Sequence, residues 1–78
     1  MSADLEPVLQ IVRAHLPPSS RVDAASRAAG VSGWDSVAMV DILFAVEEAF
    51  GVEFSSLQME RADGVPALLA LLAEARGG

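Results

Sequence analysis

The stretch "GWDSVAMVDILFAVEEAFGVEF", residues 33–54, decides the fold. Counting from Ser36, Met39, Leu43, Val46 and Phe50 recur at helical spacing, and Ile42 widens the stripe. That period predicts an α-helix over 36–50 with one face on a core. Gly51 follows, the residue type favoured in the left-handed turn that ends a helix. Asp35 or Ser36 caps the start, since either side chain can accept from the free N–H groups of a first turn. A surface helix needs one apolar stripe, and this one carries two. Val37, Val40, Phe44 and Ala45 lie mostly off the core face, bordered by Asp41, Glu47 and Glu48. A chain of 78 residues is too small to bury both faces. The second stripe is therefore expected to be partly exposed, an apolar patch rimmed by charge of the kind that marks contact surfaces. The alternative is that the long loop before it, or a short third helix, covers it.

Working outward from that helix, Leu5, Val8, Leu9, Val12 and Leu16 share one face of a first helix, with Asp4 as its cap and Pro7 in its first turn. Pro17 and Pro18 stop it. The segment 17–35 is long for a structureless connection within a compact domain. Asp23 before "AASRAA" and Gly30 after it predict a short helical turn inside it, with Val22, Val31 and Trp34 pinning it to the core. After the second helix, Ser55 and Gln58 stand at capping-box spacing and predict a third helix of one or two turns. Asp63 is expected to cap a last helix whose buried face is Val65, Leu68, Leu69, Leu72 and Ala75, with Pro66 harmless in its first turn. Only "GVEFSS" offers a short candidate strand. The expectation is a single all-α domain over 1–78: a small four-helix bundle with a long first loop and a short third helix.

Composition narrows the function. The chain is 53% hydrophobic, enough for a core without staples, and has no cysteine, so no protein thiol can serve as nucleophile, metal ligand or disulfide partner. The net charge is −6, with five basic residues, all arginine. Such a chain repels phosphate backbones, which argues against nucleic acid and for partners with basic surfaces. The longest apolar run, 65–73, is too short to cross a membrane and contains Pro66. The acidic start lacks the basic opening of a signal peptide, so a cytoplasmic protein is expected. His15 is the only imidazole, near the end of the first helix, where a solvated or dipole-stabilised histidine needs no metal to explain it.

Ser36 sits where backbone N–H groups and the positive end of a helix dipole point outward, a place that tolerates a phosphate. A hydroxyl alone is a weak nucleophile, and no neighbouring His or Lys in the sequence can activate it. Chemistry at Ser36 is thus expected to be done to it by another enzyme.

With Asp35-Ser36 at the head of a second helix, Val37 next, acids at Asp41, Glu47 and Glu48, and "AFGVEF" at the helix end, the chain resembles the acyl carrier proteins over nearly its whole length. The resemblance implies a non-catalytic carrier. A phosphopantetheinyl transferase would join 4'-phosphopantetheine from coenzyme A to Ser36, supplying the thiol this chain lacks, and Asp35 would assist through the transferase's metal. Val37, Val40 and Phe44 would then give partners an apolar contact. Asp41, Glu47 and Glu48 would meet basic docking surfaces on a ligase, acyltransferase or ketosynthase. No metal of its own and a monomeric state are implied. "VSGWDS" stands where Leu-Gly commonly precedes the Asp-Ser pair, and the charge is less acidic than in housekeeping fatty-acid carriers. Both lean toward polyketide or mixed polyketide–peptide biosynthesis. Trp34 reads first as a packing residue of the loop and second as one that touches the arm.

Other readings stay open. Peptidyl carriers more often have Gly-Gly-x-Ser before the apolar residue, so Asp35 favours an acyl cargo, yet D-alanyl carriers also use Asp-Ser. An unmodified helical adaptor would use the same exposed stripe. The closing "RGG" suggests activation of a terminal carboxylate, but that chemistry belongs with β-grasp folds, whose alternating strands are missing from this sequence. A frayed tail is the simpler expectation.

Overall fold

A computed structural model of the chain describes residues 3–77. Four helices follow in order, α1 (Leu5–Ala14), α2 (Ser36–Phe50), α3 (Ser56–Glu60) and α4 (Val65–Ala75), with a 3₁₀ turn at Ala28–Gly30. No strand forms among the described residues, "GVEFSS" included. The molecule is all-α, and α1 packs against both α2 and α4.

Each helix buries the stripe its spacing presents. Val8, Leu9 and Val12 of α1 meet Met39, Ile42, Leu43 and Val46 of α2, with Leu16 added beyond the α1 end. In α4 the buried set is Val65, Leu68, Leu71 and Leu72. Leu71 thus replaces the expected Leu69, which is half-buried along with Ala75. The sequence "VPALLALLAEA" is apolar at nearly every position, so its pattern cannot set the phase. Packing does.

The caps divide in the same way. Gly51 adopts the left-handed turn (φ 66°, ψ 36°) and ends α2 as expected, and the Ser55–Gln58 capping box opens α3. Asp4 holds the N-cap position of α1, its carbonyl accepting from the Val8 N–H at 3.0 Å, but its side chain makes no cap hydrogen bond. Its carboxylate instead takes the Arg76 guanidinium, 2.7 Å away, and Arg76 also lies 5.2 Å from the centre of the Phe50 ring. The expected frayed tail is therefore tied down as far as Arg76, while Gly78 lies outside the described residues. Nor does Asp63 cap α4: Gly64 holds that position, and Asp63 turns to the long loop.

That loop is folded by its own polar side chains. Asp23 accepts from the Ala25 N–H (2.9 Å) and the Ser26 hydroxyl (3.2 Å), an Asx-type turn. Residues 26–28 then run beside the start of α4. The Ala28 N–H donates to the Asp63 carbonyl (2.8 Å), and the Val65 N–H to the Ser26 carbonyl (2.9 Å). Arg27 and Asp63 close the clip with an ion pair at 3.3 Å. The helical turn expected directly after Asp23 and before Gly30 forms only at the end of that stretch, at Ala28–Gly30, with Gly30 inside it. Val22 and Trp34 are buried in the core and Val31 packs against it, so all three pin the loop as expected.

Candidate functional site

The head of α2 is built by Asp35. Its backbone is extended and its Oδ1 accepts from the Ala38 N–H at 2.9 Å, which makes Asp35 the cap and Ser36 the first helical residue. The two roles left open by the sequence are thereby divided. Ser36 is exposed, and its hydroxyl makes no hydrogen bond to any described residue. It stands on the positive end of a 15-residue helix.

Beside Ser36 opens a groove of about 620 Å³. Its far wall is the clipped loop, Arg27 to Ala29, and its other flank is the α3 end with Met59, Glu60 and Ala62. The α2 side is Trp34, Asp35, Ser36, Met39, Val40 and Leu43. The lining is mostly hydrocarbon, with charge supplied by Arg27, Asp35, Glu60 and Asp63. The volume lies within the range of small-molecule sites, roughly 300–1,000 Å³. The clip sets the groove's width, because the bridge between Arg27 and Gly64 fixes how far the loop stands from α3 and α4. Gly64 allows that approach. A Cβ there would meet the Ser26 carbonyl oxygen at 2.5 Å and the Arg27 Cα at 2.6 Å.

Trp34 is 5% exposed, and its indole Nε1–H is buried with no hydrogen-bond partner. A buried donor left unpaired costs about 1–3 kcal/mol. Packing of the ring against the core explains its burial. It does not explain the orphaned donor.

The second stripe of α2 is uncovered. Val37 is 69% exposed, Phe44 55% and Val40 47%, so neither the loop nor α3 lies over them. Leu57 on α3 adds a fourth exposed apolar side chain, at 65%. Asp41 and Glu48 are exposed on the side that carries Val37 and Phe44. Glu47 differs: it is half-buried, and its Oε2 accepts from the Phe54 N–H at 2.6 Å, folding the α2–α3 connection over the helix end. Its charge is partly committed to the fold. His15 lies away from the groove, exposed, with Nδ1 2.9 Å from the Ile11 carbonyl oxygen.

The structure thus gathers Asp35, Ser36 and Val40 at one groove and sets Val37, Asp41, Phe44 and Glu48 on the adjoining face. The loop wall of Arg27, Ala28 and Ala29, and the α3 wall of Met59 and Ala62, escaped the sequence reading. No local pattern marks them, since a tertiary clip brings them to Ser36. Comparison with family models, curated proteins and solved structures finds no match to this chain.

Proposed function

We propose that the protein is a non-catalytic carrier of the acyl-carrier type. Ser36 takes a 4'-phosphopantetheine arm from coenzyme A, and the arm carries acyl groups as thioesters between enzymes of a polyketide or related specialised pathway. One observation carries the reading: an exposed serine, unpaired among the described residues, begins a capped helix at the mouth of an apolar groove. A tethered chain would find its nearest shelter from water there. The groove brings no imidazole or amine to the Ser36 hydroxyl, which suits a residue that is modified rather than one that attacks.

Partners fall to the adjoining face. Val37, Val40 and Phe44 provide apolar contact area, while Asp41 and Glu48 steer basic docking surfaces on the transferase and on loading and transfer enzymes. Glu47 contributes from the edge of that face. Asp35 holds the helix start in shape for the transferase.

Intact-protein mass after incubation with coenzyme A and a phosphopantetheinyl transferase tests the reading. The expected result is a gain of one arm, lost in Ser36→Ala. That variant should keep its helical circular-dichroism spectrum, because Asp35 and not Ser36 supplies the cap. No gain in the parent protein would leave an unmodified adaptor as the better account. A gain surviving in Ser36→Ala would move the site to another hydroxyl.

A further inference from the structure

We infer that Trp34 selects the cargo: its indole N–H donates to a carbonyl oxygen of the carried chain beyond the thioester, so the groove favours an oxygenated chain over a saturated acyl chain of equal length. This rests on the carrier reading above and adds the class of cargo to it.

Three observations converge. First, the Nε1–H is the buried side-chain polar group left without a partner among the described residues, and a satisfied fold leaves few such groups. Second, the ring belongs to the groove wall that includes Ser36, so a chain tethered at Ser36 passes beside it. Third, the groove leaves the indole unanswered: the acceptors in its lining, Asp35, Ser36, Glu60 and Asp63, do not take the N–H, and Met39, Val40, Leu43 and Met59 carry no strong acceptor. An occupant that brings an acceptor completes the pairing. The N–H is closed to solvent, so the wall has to give before the bond forms. Met39 and Met59 suit that, being unbranched and easily repacked. A saturated acyl chain has its one carbonyl at the thioester, at the head of the cargo, so the hydrocarbon that enters the groove would leave the donor as unpaired as before. A chain with a further carbonyl relieves it, and the difference favours the oxygenated cargo.

Trp34 is the chain's sole tryptophan, so its indole N–H gives a single resonance in a proton–nitrogen NMR spectrum. The protein is loaded on Ser36 with the bare arm, with a hexanoyl arm and with a β-oxohexanoyl arm, each confirmed by mass. The β-oxo form should move the indole N–H downfield, and the other two should not. The Met39 and Met59 methyl signals report occupancy of the groove. They should show the β-oxo chain lodged there roughly two- to tenfold more than the hexanoyl chain, about what one neutral hydrogen bond contributes. In Trp34→Phe, which keeps an aromatic ring without the donor, that preference should vanish while loading and fold persist. An indole signal that ignores all three loads overturns the inference. So does an equal shift with all three, or with the hexanoyl and β-oxohexanoyl arms alike, since the arm's own carbonyls or the thioester carbonyl would then be the partner. Failure of the parent protein to gain any arm at Ser36 would sink the carrier reading together with this one, and the mass spectrum separates that case from the others.

Discussion

At the scale of single residues, two glycines show how differently the same side chain can be constrained. Gly64 has backbone from residues 26 and 27 pressed against the place a Cβ would occupy, at 2.5 and 2.6 Å. Backbone cannot rotate away as a side-chain tip can. Gly64→Ala should therefore force the loop clip apart and cost about 1–3 kcal/mol, the usual range for overpacking. Gly30, at the end of the 3₁₀ turn, has nothing within 4 Å of that position, and its φ is not in the left-handed range. Gly30→Ala should be neutral or stabilise by up to about 1 kcal/mol through the unfolded chain. Urea unfolding midpoints check both, and equal effects at the two sites would mean that the clip is not tight. The sequence marks Gly30 as a helix stop, but nothing near Gly64 announces its role. A close backbone approach is made by residues 37 positions away in the chain, as the Arg27–Gly64 bridge is. Asp63 is misread for the same reason. Its local pattern suits a cap, and a distant arginine and amide claim it instead.

At the scale of elements, α2 carries two apolar faces, one buried and one exposed. Leu43 is 2% exposed in the core, whereas its neighbour Phe44 is 55% exposed. Leu43→Ala should cost about 2–5 kcal/mol, as buried leucine truncations do. Phe44→Ala should cost within about 0.5 kcal/mol, as substitutions away from packed sites do, while slowing transfer to and from partner enzymes. Thermal unfolding of both variants decides it: similar losses would show that Phe44 is a core residue. The extent of α2 was legible because its start, stop and core stripe are local features. Ser36 was legible for the same reason, since helix heads are marked by caps and by the phase of the stripe. The exposure of the second stripe was a matter of counting, with too few residues available to cover it. The start of α3 followed from the capping box, whereas α1 ends at Ala14, short of the Pro17 expected to stop it. The phase of α4 did not follow, because a helix apolar nearly all round offers several faces and only its packing within the bundle selects one. The groove was illegible for a stronger reason: it is a gap between three segments, and no one of them encodes it.

Across the whole molecule the charges are sorted by place. Four of the five arginines form ion pairs within the chain, Arg13 with Glu6, Arg27 with Asp63, Arg61 with Glu74 and Arg76 with Asp4. None of these arginines is paired with Asp41, Glu47 or Glu48. The net charge of −6 therefore weighs most on α2, beside the exposed Val37, Val40 and Phe44. Each single contact from such an acid to a partner is worth only about 0.2–1 kcal/mol. Acting together the acids bias the approach of a basic surface, which alters association rate more than the final affinity. Asp41 and Glu48 are the pair to test, since both are exposed and neither holds the fold, whereas Glu47 secures Phe54. Replacing both with arginine should leave the melting temperature nearly unchanged and, on the carrier reading proposed above, slow modification of Ser36 by the transferase. The defect should be largest at low ionic strength and shrink toward physiological salt, where the screening length is about 8 Å. The same variant assayed across a salt series separates steering from contact. A rate equal to the parent's at low salt would show that the acidic face is solvated surface with no part in docking. A defect that does not change with salt would place the loss in a direct contact instead.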